Sequence, residues 1–157
     1  MPVTSINIYT LKQVKQNRRR YEVEDCNITC PLACYNAIQK LLDLKSAPQE
    51  TFGIVSLNTK NKIAGLHIIA IGNLNSANIE PAEVFKAAFL NNAYAIIAFH
   101  NHPSGDLTPS MADLEITQRL KKAGELLNIR LLDHLIIGES GYLSLREKHK
   151  EKICWIS

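Results

Sequence analysis

Two imidazoles one residue apart, His100 and His102, are followed by a hydroxyl at Ser110 and a carboxylate at Asp113. Side chains at i and i+2 of an extended backbone point to the same side, so both rings can face one point. Asp113 falls in the first turn of a helix expected after the loop HNHPSGDLTPS, from which it can fold back toward the rings. Two neutral imidazoles and one carboxylate form a reasonable ligand set for Zn2+. Three protein ligands leave a fourth position open, which distinguishes a catalytic zinc site from a structural one. Bound zinc lowers the pKa of its water to about 7, and hydrolysis then needs a base to carry the water's proton to the leaving group. Glu50, at the start of the run TFGIVSL, is the candidate base. Ser110 is placed to donate a hydrogen bond to the oxyanion of an attacked carbonyl.

Each of these residues also has a plainer reading. Ser110 and Asp113 have the spacing of an N-cap and a first-turn acid, a role compatible with the chemical one. Pro103-Ser104-Gly105-Asp106 reads as an ordinary turn. Glu50 without the metal set is a solvated charge. His134, in RLLDHLIIG, reads as a hydrogen-bonded core histidine, with Asp133 as partner to a neighbouring polar group. His67 and His149 carry no supporting pattern. The cysteines Cys26, Cys30, Cys34 and Cys154 lack the C-x2-C knuckle of structural zinc sites. Cys30 and Cys34, one helical turn apart in an apolar segment, are expected to be buried free thiols.

The elements that must position these groups follow from periodicity. Thr29 before Pro31 is the expected N-cap of a helix running to about Lys45. TFGIVSLNTKNKIAGLHIIAIG reads as a hairpin around NTKNK. Pro81 opens a helix with an apolar stripe on Val84, Phe85, Ala88 and Phe89. The uninterrupted run YAIIAF (94–99) suggests a strand buried on both faces. A helix then covers Met111 to Leu127, with Leu114, Leu120, Ala123 and Leu127 apolar. RLLDHLIIG and GYLSL are the last two strands. INIYTL and RYEVED, near the N-terminus, have weaker strand character. The order predicts an α/β domain, a three-layer sandwich around a mixed sheet.

The chain has 157 residues, 46% apolar and 21% charged, as expected of one folded domain. The net charge of +3 is too small to argue by itself for a nucleic-acid binder. The local basic run Lys12, Lys15, Arg18, Arg19 and Arg20 reads first as a solvated face. No apolar run approaches the ~20 residues of a membrane span. The N-terminus also lacks the apolar stretch of a signal peptide, so a cytoplasmic protein with no membrane partner is expected.

His100, His102, Ser110 and Asp113, with Glu50 upstream, resemble the JAMM (MPN+) metalloprotease motif. More narrowly, HNHPSGDLTPS followed by LLDHLIIG is similar to the RadC-like branch, over about Pro48 to Leu145. The resemblance implies a JAMM α/β sandwich related to cytidine deaminases. It makes His100, His102 and Asp113 the zinc ligands, Glu50 the general acid–base and Ser110 the oxyanion-side hydroxyl. It implies hydrolysis of a peptide or isopeptide bond in a peptide or protein substrate. Residues 1–28 are expected to form an N-terminal extension and 29–157 a single catalytic domain. Longer members of the branch carry a helix-hairpin-helix module. Only about 45 residues precede the catalytic segment here, without that motif. A short form is expected, which weakens the DNA-repair association of the family label; a nucleic-acid-associated role using the same metal site stays as the alternative, with the basic run Lys12–Arg20 its only local support. A nucleoside deaminase would need H-x-E followed by P-C-x-x-C, but His100-Asn101-His102 lacks the Glu and no P-C-x-x-C follows. A non-catalytic interaction module predicts damage to the metal set, whereas all five positions are filled.

Overall fold

A computed structural model describes residues 27–72, 79–153 and Trp155. The segments INIYTL and RYEVED, the basic run Lys12–Arg20, Cys26 and Cys154 lie outside the described residues. In chain order the elements are α1 (Pro31–Leu42), a 3-10 turn (Leu44–Ser46), β1 (Thr51–Leu57), β2 (Ile63–Ile71), α2 (Pro81–Leu90), β3 (Ala95–Asn101), α3 (Met111–Leu127), β4 (Arg130–Gly138), β5 (Gly141–Ser144) and α4 (Leu145–Lys148).

The sheet order is β2-β1-β3-β4-β5. β1 runs antiparallel to both β2 and β3, β3 is parallel to β4, and β4 is antiparallel to β5. The β1–β2 hairpin closes through Asn58, whose Oδ1 accepts from the N–H groups of Lys60 and Lys62. Alternate residues of a strand face opposite sides, and here both sides are covered. Phe52, Ile54, Ile96, Ala98 and Leu131 pack against Val84, Phe85 and Ala88 of α2 and Ile116 and Leu120 of α3. Val55, Leu57, Ile97, Phe99, Leu135 and Ile137 pack against Cys34, Ala37 and Ile38 of α1. The expected α/β sandwich with a mixed sheet is therefore present. Each fully buried Ile, Leu or Phe contributes roughly 1.5–3 kcal/mol.

Several local expectations are corrected. The N-cap of α1 is Cys30, not Thr29, and it makes no side-chain cap bond. The helix stops at Leu42 rather than near Lys45 because Asp43 turns left-handed, with φ 46°, and its N–H bonds back to Gln39 O. Phe89 is 52% exposed, since the buried arc of α2 runs through Val84, Ala87 and Ala88 at i, i+3 and i+4, with Phe85. Leu127 is also exposed at the end of α3. β3 does not end at Phe99 but continues through His100 and Asn101. β5 stops at Ser144, which caps α4 by accepting from the Glu147 N–H, so Leu145 is helical. Cys34 is a buried free thiol, but Cys30 is exposed. Burial, with Asp133 nearby, pushes the Cys34 thiol well above its ordinary range.

Among the described residues, no helix is long and apolar enough to cross a membrane.

Candidate metal centre

The parallel pair β3–β4 with α3 between them is a βαβ unit, and such units place sites beyond the carboxyl ends of their strands. His100 is the penultimate residue of β3, and His102 lies just past its end. The pairing carries on beyond the strand, because the His102 N–H donates to Ile137 O at 2.8 Å. The loop then turns at Gly105, with φ +81°, and delivers α3. Ser110 and Asp113 form a reciprocal capping box at the start of that helix. Ser110 Oγ accepts from the Asp113 N–H at 3.1 Å, and Asp113 Oδ2 accepts from the Ser110 N–H at 2.7 Å. One oxygen of Asp113 is thus fixed, and the carboxylate is aimed back at the rings.

His100 Nε2 stands 2.9 Å from His102 Nε2 and 3.2 Å from Asp113 Oδ1. His102 Nε2 lies 3.5 Å from Asp113 Oδ2 and 3.9 Å from Glu50 Oε1. Glu50, His100 and His102 each bring a ligand atom within 4.8 Å of the others, forming a group able to hold a metal ion. Asp113 is the closer carboxylate to both rings. Antiparallel pairing of β1 with β3, Phe52 opposite His100, brings Glu50 across from His102. The structure thus brings together all five residues singled out in the sequence, Ser110 through its cap with Asp113.

The hydrogen-bond chemistry tests whether a cation fits. His102 Nδ1 lies 2.6 Å from the carbonyl oxygen of Asp106. A carbonyl only accepts, so Nδ1 carries a proton and, in the neutral ring, Nε2 bears a lone pair. That lone pair faces a carboxylate and another ring nitrogen, an arrangement that is repulsive unless something positive stands between them. Ligands about 2.0–2.1 Å from a tetrahedral ion stand about 3.3 Å apart, and the observed separations bracket that figure. Without an ion, a proton on Nε2 relieves the same repulsion by bonding to Asp113. The hydrogen bond to Asp113 pushes the His102 pKa up against the cost of burial, with Asp106 and Glu50 adding to it. Burial alone would raise Asp113, but its contacts with His100 and His102 prevail and hold it well below the usual carboxylate range. A histidine pushed up beside a carboxylate pushed down is the mutual effect of a base and an acid in contact.

Two buried polar residues supporting this cluster were not anticipated from the sequence. Asn101 is almost fully buried, and its amide clamps the backbone on both sides of Glu50. Its Oδ1 accepts from the Thr51 N–H at 2.8 Å, and its Nδ2 donates to Gln49 O at 3.2 Å. The Gly72 N–H donates to Glu50 O as well. Thr117 lies one helical turn beyond Asp113 and touches His134 at 2.7 Å, while His134 Nε2 meets His100 Nδ1 at 2.8 Å. His134 is wholly buried, as a hydrogen-bonded core histidine, and burial keeps its pKa well below the ordinary value. A polar residue inside a continuously buried strand must find partners, and that was the available signal for Asn101. For Thr117 it was the i+4 spacing from Asp113. Asp133 does find neighbouring polar partners. Its carboxylate accepts from Ser144 Oγ and from the N–H groups of His134 and Arg146.

The cluster opens on a cleft of about 730 Å3 lined by Glu50, Gly72, His102, Ser104, Asp106 and Thr108 among others. The sequence model of the RadC-like JAB domain matches residues 28–151. The chain belongs to the RadC-like JAB domain family. Curated relatives include a UPF0758 protein of Bacillus pumilus, 50% identical over 106 residues, which are 68% of this chain and 47% of the relative. A UPF0758 protein of Caldanaerobacter subterraneus is 46% identical over 125 residues, 80% of this chain and 53% of the relative. One from Clostridium tetani is 44% identical over 139 residues, 88% of this chain and 60% of the relative. The chain therefore spans about half the length of the curated RadC-like relatives it matches. The RadC-like match covers every residue of the cluster.

Proposed function

We propose that the chain is a zinc-dependent hydrolase of the metallopeptidase type, acting on a peptide or isopeptide bond of a peptide or protein substrate. The observation that supports it is the convergence of His100, His102 and Asp113 on one point, with the Glu50 carboxylate across from them at the mouth of an open cleft. His100, His102 and Asp113 would hold the ion. Asp113 takes the third place because it approaches both rings and is oriented by its cap, whereas Glu50 lies 3.9 Å from one ring. The ion would supply Lewis acidity and a water whose pKa is lowered to about 7.

The remaining work falls to side chains of the protein. Glu50, only partly buried, takes the proton of the attacking water and hands it to the departing nitrogen. Ser110 uses its oxygen lone pair in the cap, so its hydroxyl proton is not consumed there and can be offered to the oxyanion. The Asn101 amide holds the Glu50 backbone so that the carboxylate meets the water without searching.

The test is metal content together with peptidase screening. Native protein should carry about one zinc per chain, and a His100→Ala/His102→Ala double variant should lose it while keeping its circular dichroism spectrum. Glu50→Gln should retain the zinc and lose hydrolysis by about 100-fold or more. Protein prepared without chelators that holds no zinc and takes none up would sink this reading.

A further inference from the structure

We propose that Thr117 and His134 are positioning residues that set the ring tautomer of His100, and so decide that its Nε2 presents a lone pair to the metal point. The inference rests on the zinc-site reading above for its purpose, but its chemistry follows from the hydrogen-bond chain alone. The chain starts where the direction is unambiguous. Thr117 Oγ1 lies 2.5 Å from the backbone carbonyl oxygen of Asp113, one turn earlier in α3. A carbonyl only accepts, so the threonine proton is committed there. The hydroxyl oxygen can then only accept from its other neighbour, His134 Nδ1, at 2.7 Å. His134 therefore carries its proton on Nδ1. Since the ring is wholly buried and bears one proton, its Nε2 is an acceptor. That atom faces His100 Nδ1 at 2.8 Å. His100 must donate from Nδ1, which leaves Nε2 unprotonated, 3.2 Å from Asp113 Oδ1.

Reversing the chain shows why its direction matters. Were the threonine proton given to His134 Nδ1, His134 would donate from Nε2, and His100 would keep its proton on Nε2. That proton would occupy the metal point. The Asp113 carbonyl would also face a bare hydroxyl oxygen at 2.5 Å. The backbone of the residue whose carboxylate faces His100 thus sets the polarity of the relay that prepares His100. The two histidines are oriented by the same device through different partners. His102 Nδ1 donates straight to the Asp106 carbonyl, whereas His100 reaches the Asp113 carbonyl through two side chains.

The test reads the tautomers directly. In metal-free, 15N-labelled protein, long-range proton–nitrogen spectra should show His134 and His100 both protonated at Nδ1. Thr117→Val removes the acceptor while keeping the shape. It should move the His134 proton to Nε2, drive His100 to its Nε2-protonated form, and weaken zinc binding, read by chelator competition, by 10–100-fold. Thr117→Ser should restore both the spectrum and the affinity, which a merely space-filling threonine would not require. Wild-type spectra with His134 protonated at Nε2 would overturn the proposal, even if Thr117→Val failed to fold. So would a folded Thr117→Val protein binding zinc within twofold of wild type. Protein that shows the expected tautomers yet takes up no zinc would sink the zinc reading and leave the relay standing.

Discussion

At the scale of single residues, the site depends on groups that can act in only one direction. Backbone carbonyls of Asp106 and Asp113 only accept; the first meets His102 directly and the second takes the Thr117 hydroxyl proton at the head of the proposed relay to His100. Asn101 works because a side-chain amide offers an acceptor and a donor together, matching the Thr51 N–H and the Gln49 carbonyl on either side of Glu50. Asn101→Ala leaves the buried Thr51 N–H without its acceptor and removes the donor to Gln49 O at the edge of the open cleft. It should cost about 1–3 kcal/mol of stability for each group left unsatisfied, read from thermal or urea melts. Its larger effect should be on turnover. Losing a clamp that fixes a base can cost up to about 100-fold in rate. Zinc content should stay near wild type because no ligand is touched. A variant that lost zinc and kept its rate per bound ion would place Asn101 in the metal shell rather than behind Glu50.

At the scale of elements, the decisive contact lies between the end of β4 and the loop after β3. A Cβ on Gly138 would stand 2.6 Å from the carbonyl oxygen of Gly105 and 2.9 Å from the Leu107 side chain. That loop carries the Asp106 carbonyl that orients His102, so its seat on β4 matters to the site. Gly138→Ala should push the loop outward, with an overpacking cost of about 1–3 kcal/mol in melting experiments. It should also weaken zinc binding by about tenfold or more, as supporting-shell changes do. Unchanged zinc affinity in a destabilised variant would mean that the loop relaxes without moving His102. The β4 bulge between the partners of Ile96 and Ile97 plays a comparable part. It lets neighbouring residues face opposite layers in the required order, with Asp133 beside Ile97 on the α1 side and His134 beside Ala98 on the α3 side.

At the scale of the whole molecule, the candidate site draws together three parts of the chain: the approach to β1 through Glu50, the end of β3 and the first turn of α3. A ligand that binds only the folded state stabilises it by mass action, by about 2.7 kcal/mol at one hundred times its dissociation constant. Stripping the metal should therefore lower the melting temperature, and adding zinc back should restore it in proportion to the logarithm of zinc concentration. The His100→Ala/His102→Ala variant should melt at the same temperature with or without zinc. A wild-type melt indifferent to chelation and to added zinc would argue against a site spanning these three segments.

Much of this was legible beforehand because it is local. The i, i+2 spacing of His100 and His102 on an extended run, the Ser110–Asp113 cap spacing and the unbroken run before His100 are properties of a few consecutive residues. They led to the clustered side chains, the helix start and the buried strand without any knowledge of what lies across the sheet. The misses fall at single positions. Thr29 against Cys30 as cap turned on where the backbone leaves the extended region, while Phe89 in the stripe and Cys30 as buried required the angle at which a helix meets its sheet, which no window of sequence contains. The relation of Glu50 to His102 depends on antiparallel register over 50 residues of chain. The Thr117–His134–His100 relay spans three elements, α3, β4 and β3. Side-chain types and periods can be read along one dimension. Which proton donor meets which acceptor was decided only when the tertiary fold brought α3, β3 and β4 to a common point.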